Sequence, residues 1–231
     1  MYAAFWKRVF DILLATLVLV VFSPLFLILT VVGAVAMKGN PFFTQLRPGK
    51  IGKKTGEERL FKMIKFRTMS NAKDKDGNLL PDEARLNGYG RFLRKTSLDE
   101  LPELISVLIG RMSIVGPRPQ LVRDMVFMTA EQRLRHTVRP GLTGLAQISG
   151  RNAILWDNKL ATDLIYIKNI TVWEDMRILL KTVGKVLKSE GITEDGEATA
   201  TDLGDYLLKN GTISATEYEE KQEEARRLMR K

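Results

Sequence analysis

With 231 residues and 45% hydrophobic side chains, the chain has room for one compact domain plus accessory segments, and its composition suits a folded protein rather than a disordered one. It has no cysteine and a single histidine, His136. That excludes disulfides, thiolate nucleophiles and cysteine-bound zinc or iron–sulfur, and leaves a Ser-His-Asp mechanism with one base and no G-x-S-x-G turn. The net charge of +9 is uneven: from Gly191 onward 6 basic residues face 10 acidic ones, so residues 1–190 carry +13 and favour nucleic acid, nucleotides or anionic lipid.

Ile12 to Met37 is a run of 26 residues without a charge, long enough for a helix to cross a hydrocarbon core of about 30 Å. A signal peptide is the alternative, with Ala34-Val35-Ala36 as its small-residue site, but its apolar region is usually only ~7–15 residues. Ser23-Pro24 near the middle predicts a break, because proline removes a helix hydrogen bond and crowds the preceding turn. Lys7 and Arg8 precede the run; Lys38, Arg47, Lys50, Lys53 and Lys54 follow it. Since positive charge stays on the cytoplasmic side, two basic flanks favour a re-entrant hairpin over a single span.

Phe42–Gln45 and Leu60–Thr68 read as short strands joined by turn chemistry at Arg47-Pro48-Gly49 and a polar Gly/Lys run. Residues 70–90 read as an exposed loop. Asp99–Gly110 is the clearest amphipathic helix, with Leu101, Leu104, Ile105 and Leu108 on one stripe and Gly110 at its end. That stripe faces either the domain core or a membrane surface. A loop at Gly116-Pro117-Arg118-Pro119 leads to a helix over 120–135, a Gly-rich loop over 139–152, and helices over 160–168 and 173–188. A polar linker then begins near Gly191, and 214–230 is a charged helix.

Asp99-Glu100-Leu101-Pro102 carries the densest chemistry. Asp99 is a good N-cap with Pro102 in the first turn, and Ser97 with Glu100 matches a capping box. The adjacent carboxylates equally suit catalysis. Successive helical positions diverge by about 100°, so one can attack phosphorus while the other holds a divalent ion. A helix N-terminus would keep both ionised, and Mg²⁺ suits a site with one or two carboxylates plus phosphate oxygens. Arg91, Arg94, Lys95, Arg111 and Arg118 flank the pair, and the prolines around Arg118 preorganise a phosphate-binding fork. Lys65 and Arg67 alternate with Phe66 and share the polar face of a strand. The bare backbone of Arg139-Pro140-Gly141-Leu142-Thr143-Gly144 would let a nucleotide approach, or is simply a turn. Asp163 and Asp175 lie on later helices, and His136 reads as structural.

As an ordered set, several stretches resemble the bacterial sugar transferase family, the small monotopic phosphoglycosyl transferases. They are Lys7-Arg8-Val9-Phe10-Asp11, Ser23-Pro24, Lys65-Phe66-Arg67-Thr68-Met69 and Arg94 through Pro102. Met112 through Pro119, Arg139 through Gln147 and Gly150-Arg151-Asn152 continue the match. The resemblance covers about residues 1–190 and is nearest to members that initiate protein N-glycosylation.

It implies an α+β, mostly helical protein in three parts. Residues 1–39 would be a re-entrant membrane hairpin (Lys7, Arg8, Asp11, Ser23, Pro24) packed on a small cytoplasmic domain, 40–190, that contains a short β-hairpin. Residues 191–231 would be a linker and helical tail. The location implied is the cytoplasmic face of a bacterial inner membrane. The donor would be a UDP-sugar, an N-acetylated amino sugar, and the acceptor undecaprenyl phosphate.

By the same resemblance Asp99 would attack the β-phosphorus and release UMP, leaving a phosphosugar–aspartyl intermediate, while Glu100 would hold Mg²⁺. Lys65, Arg67, Arg94 and Arg118 would bind phosphate oxygens, the loop from Arg139 to Gln147 would shape the nucleotide pocket, and Asp163 and Asp175 would support it. Two positions depart from the family: Glu103 where Gln is usual and Arg111 where Asp is usual. The tail around Leu207–Glu219 resembles a short oligomerisation motif, so a second copy and downstream glycosyltransferases are the expected partners. The rivals are a membrane-anchored scaffold, a lipid-pyrophosphate hydrolase, which with one His lacks an obvious base, and a nucleic-acid binder, against which the lack of a recognisable module speaks.

Overall fold

The computed structural model describes residues 2–150, 155–188 and 201–230. Helices α1 (Lys7–Val21) and α2 (Ser23–Ala36) are bent by 65° where they meet. The chemistry of the break is local. Pro24 has no N–H for the Val20 carbonyl, and the Ser23 hydroxyl donates to that carbonyl instead, at 2.8 Å. Neither helix alone is long and apolar enough to cross a membrane; as a bent pair they pass that test by length and composition. Their outward faces are strongly apolar, with Leu13, Leu17, Val20, Leu27, Ile28 and Val35 all exposed. Exposed large apolar side chains gathered on two adjoining helices mark a membrane or partner contact.

Both helices nevertheless return to the same domain. Ala15 of α1 is fully buried in the main core, and Asp11 accepts from Ser113 Oγ and Ile114 N. On α2, Leu29 packs with Phe66 and Leu93, and the Leu29 and Ala36 carbonyls accept from Tyr89 Oη and Asn87 Nδ2.

Strands β1 (Phe42–Ile51) and β2 (Glu58–Phe66) form the antiparallel hairpin. β1 continues through Arg47-Pro48-Gly49, which runs as strand and is not the turn expected. β2 starts and ends two residues earlier than expected, and the connection falls in the polar Gly/Lys run. The expected loop at 70–90 holds the short helix α3 (Asp82–Arg85) and the start of α4 (Gly88–Thr96). Asn87 caps α4 through Gly90 N, and Gly90 lies so close to Thr68 that a Cβ would sit 1.9 Å from its carbonyl oxygen. Helix propensity is poor here, and packing forms the helix.

The expected Asp99–Gly110 helix is shorter: a single 3₁₀ turn, Leu98–Glu100, precedes α5 (Glu103–Leu108). Leu101, Leu104 and Leu108 face the core, while Ile105 and Ile109 are exposed. Strand β3 (Ser113–Val115) follows. The expected 120–135 helix is divided into α6 (Val122–Met125), α7 (Ala130–Arg133) and a 3₁₀ turn, Leu134–Thr137.

The Gly-rich loop contains β4 (Gly141–Thr143), which pairs in parallel with β3, and α8 (Leu145–Gly150). Its bare backbone serves internal packing: a Cβ on Gly141 would lie 2.1 Å from Gly116 N. Helix α9 (Trp156–Lys168) and α10 (Val172–Leu187) complete the domain. α10 buries Ile178 and exposes Trp173, Met176, Leu180 and Val183 along its other side. The tail forms α11 (Leu203–Lys209) and α12 (Ala215–Arg230), packed against α6 and β1. Arg151, Asn152 and the expected boundary at 190/191 lie outside the described residues.

Candidate active site

Asp99 and Glu100 sit on the 3₁₀ turn between α4 and α5. Ser97, in the left-handed region at φ 56°, swings the chain out of α4 to present them. Neither capping arrangement read from the sequence forms: Pro102 occupies the N-cap of α5, and no side chain caps the turn. The sharp turn leaves both carboxylates clear of helix hydrogen bonding.

Glu100 is held by two cations on one oxygen, Oε1. Lys65 Nζ lies at 2.7 Å and Arg118 Nη2 at 2.5 Å. Burial alone would raise its pKa, but Arg118 and Lys65 outweigh that and hold the carboxyl well below the usual range. Asp99 makes no hydrogen bond among the described residues. Burial and then the charge of Glu100 push its pKa up to about 6, against partial relief from Lys65, Arg118 and Arg94. Both carboxylates are therefore still mostly ionised at neutral pH, as expected, but not through a helix N-terminus: the cations hold Glu100 down, while desolvation brings Asp99 to within about a unit of neutrality.

Glu103 is a third, buried carboxyl in the cluster. Lys65 Nζ is 3.1 Å from its Oε1, but that oxygen has no aligned hydrogen bond. Burial raises its pKa to about 7, with Lys65 opposing and Glu100 adding to the rise. Burial lowers the Lys65 pKa, and Glu100 and Glu103 more than reverse this.

Arg118 projects from a loop fixed at three successive carbonyls. Pro117 O accepts from Gly141 N at 2.9 Å, Arg118 O from Arg135 Nη2 at 2.6 Å, and Pro119 O from Arg47 Nη1 at 3.1 Å. Arg135 is itself almost completely buried and paired with Asp163 at 2.6 Å. Asp163, expected to support substrate directly, is thus sealed inside the domain and acts on the Arg118 loop through Arg135. Sequence reasoning missed Arg135 and noted Glu103 only as a departure from the family's Gln, since nothing in their spacing marks a buried charge.

The other expected site residues divide. Arg94 turns toward Thr68 Oγ1 (3.2 Å) and Met69 Sδ (2.9 Å) and is close enough to lower the Asp99 pKa. Arg67 departs from Lys65: its guanidinium donates to Phe42 O, because β2 ends at Phe66 and the polar alternation stops there. Gln147 Nε2 donates to Leu142 O, and its buried Oε1 lacks a partner.

Asp175 is not with the dyad. It seats the N-terminal helix by accepting from Lys7 at 2.5 Å, Tyr2 Oη at 2.7 Å and Tyr166 Oη at 2.8 Å. Arg139 donates from Nε to Gly110 O, at the far end of α5 from Asp99. With Lys7, Arg8, Asp11 and Lys50 it lines a separate small, open cavity of about 60 Å³. Arg8 donates to the Val107 and Leu108 carbonyls, so Lys7 and Arg8 are fastened to the domain rather than left as loose flanking charges. His136 is structural, its Nδ1 3.1 Å from Glu58 Oε1.

Among the described residues no three acidic or histidine side chains gather into a ready-made metal cage. The chemistry at Glu100 still fits one hard cation, because both bonded cations approach Oε1 and Mg²⁺ takes one or two carboxylates with phosphate oxygens and water.

The sequence pattern described as bacterial sugar transferase matches residues 2–189. The chain is similar to "Uncharacterized sugar transferase EpsL" of Bacillus subtilis, 47% identical over 196 residues, covering 84% of this chain and 93% of that protein. It is also similar to "Undecaprenyl-phosphate galactose phosphotransferase" of Salmonella typhimurium, 37% identical over 81% of this chain. A third relative is "UDP-glucose:undecaprenyl-phosphate glucose-1-phosphate transferase" of Klebsiella pneumoniae, 36% identical over 78%. The chain spans only 41% and 40% of those last two proteins. By the extent of the family match and the coverage of its relatives, the chain belongs to the bacterial sugar transferase family.

Proposed function

We propose that the protein transfers a sugar-1-phosphate from a UDP-sugar to undecaprenyl phosphate and releases UMP. The observation that carries this reading is the pairing of an unbonded, partly desolvated Asp99 with a Glu100 gripped by Lys65 and Arg118. A carboxylate stripped of hydrogen bonds is a better nucleophile than one tied into a cap. Cations already within 3 Å of its neighbour supply the positive field that transferring phosphoryl oxygens need.

In the first step an Asp99 carboxylate oxygen bonds to the β-phosphorus. The bond from that phosphorus to the bridging oxygen breaks, and UMP leaves with the oxygen. In the second, a phosphate oxygen of undecaprenyl phosphate attacks the same phosphorus and the aspartyl ester bond breaks, returning Asp99 as a carboxylate. Glu100 would hold Mg²⁺, whose charge when bound offsets that on the leaving phosphate. Arg94 and Arg118 would orient phosphate oxygens. The relatives named for galactose and glucose transfer make a neutral hexose donor as reasonable as an N-acetylated amino sugar.

The bent α1–α2 pair would enter the membrane and return on its cytoplasmic face. Both helices packing onto one domain supports that topology, as does the Ser23 hydroxyl donating to the Val20 carbonyl, for which Pro24 has no N–H.

Purified protein with undecaprenyl phosphate, Mg²⁺ and a panel of UDP-hexoses and UDP-N-acetylhexosamines is expected to release UMP, and Asp99→Asn is expected to abolish it. Mass spectrometry of donor-treated enzyme should find a phosphosugar on Asp99; normal turnover without that adduct would exclude the covalent route. Membrane binding without UMP from any donor would favour a scaffold instead.

A further inference from the structure

We infer that the C-terminal pair α11–α12 is a brace that fixes the position of Arg118 against Glu100. This rests on the catalytic reading above and adds a residue-level device to it. The family match ends at residue 189, before this pair begins.

The two cations holding Glu100 come from separate segments: Lys65 from β2, and Arg118 from the loop ahead of α6. The tail is packed against both. On the loop side, Asp124 is the latch. Its Oδ2 accepts from Leu121 N at 3.1 Å, three residues beyond Arg118, and its Oδ1 accepts from Leu203 N at 3.0 Å in the tail. Asp124 is buried, so these bonds are shielded from water. Arg123 pairs with Asp202 at 2.7 Å, and Trp156 Nε1 donates to Thr201 O at 2.9 Å.

Apolar packing reinforces the latch. Leu203 closes a cluster with Met128, Trp156 and Leu160. The Phe127 and Tyr218 rings stack at 5.7 Å, and a Cβ on Gly204 would come within 2.5 Å of the Phe127 ring. On the strand side, Ala225 of α12 is fully buried with Val122, Met125 and Val126, against Leu46 of β1 and Leu60 of β2. One helical pair therefore sits behind both arms of the Glu100 clamp. Its removal would leave the Arg118 loop with its three carbonyl anchors but no backing for the segment that follows.

The test uses the full chain. Ala225→Arg cannot be accommodated in the buried face of α12 and is expected to raise hydrogen–deuterium exchange across residues 119–128 while α5 and β3 remain protected. UMP release should fall about tenfold or more, in kcat rather than KM, as expected for a misplaced catalytic group. Gly204→Leu, at the other end of the brace, should do the same, and Ala225→Ser should retain near-normal turnover.

The deciding readout is coupling. In an Arg118→Lys background, Ala225→Arg should cost little further activity, because the group it positions is already altered. A fully additive loss, an exchange increase without loss of turnover, or no exchange increase at 119–128 each overturns the brace. If the unaltered chain released no UMP, the catalytic reading would fail by itself, and the exchange measurements would still report whether the tail backs the loop.

Discussion

At Asp99 burial and the neighbouring charge of Glu100 act in the same direction, raising the pKa from 3.8 to about 6. Below that value the side chain keeps its proton and cannot attack, so UMP release is predicted to fall as pH drops through about 6. Glu100→Gln removes the negative neighbour and frees Lys65 and Arg118 to favour the Asp99 anion. The residual activity of that variant should lose its acid limb to lower pH; an unmoved limb would assign it to another group.

Glu103 offers a stability counterpart. Its pKa of about 7 in the folded chain lies above the ordinary 4.5, so folding favours its protonated form. Stability is therefore lost as pH rises from about 4.5 toward 7. Glu103→Gln is neutral throughout, and its Tm should exceed the parent's at pH 8 by several degrees, on the order of 2 kcal/mol. Thermal melts at pH 5 should show the gap closed. The adjacent carboxylates and the proline-flanked Arg118 were legible in the sequence because their chemistry is written in neighbouring letters. Arg135 was not: its partner Asp163 is 28 residues away, and burial has no local signature.

Among the elements, the Arg135–Asp163 pair separates stability from positioning. Asp163→Ala strands a buried guanidinium and is predicted to cost roughly 3–5 kcal/mol in denaturant melts. Replacing both, as Arg135→Met with Asp163→Leu, should recover much of that stability because no charge is left unpaired. It should not recover turnover, because Arg118 O loses its donor. Full activity in the double variant would show that Arg135 serves packing alone.

The β1–β2 hairpin and the bent helices were readable from aromatic runs, proline and hydropathy. β3 and β4 were not, being three residues each and meaningful only as a parallel pair separated by 25 residues of other structure. α4 was hidden for a related reason: Gly88 and Gly90 argue against a helix locally, and the close approach to Thr68 that requires Gly90 is visible only in the fold.

For the molecule as a whole, the fastening of both α1 and α2 to one domain bears on topology. The chain lacks cysteine, so single cysteines placed at positions 2 and 40 can be labelled without background. Both are predicted to react from the cytoplasmic side of intact membranes; labelling from opposite sides would sink the re-entrant arrangement.

The exposed stripe of α10 has an optical corollary. Of the chain's three tryptophans, Trp156 is 8% exposed within the protein, Trp6 is 48% exposed and Trp173 is 84% exposed. An indole left that bare beside Met176 and Leu180 is placed to enter a headgroup layer. Bound to vesicles with brominated acyl chains, the protein should lose the emission of Trp173 and Trp6 while Trp156 continues to shine, making its own fluorescence a gauge of how deeply it rides in the bilayer.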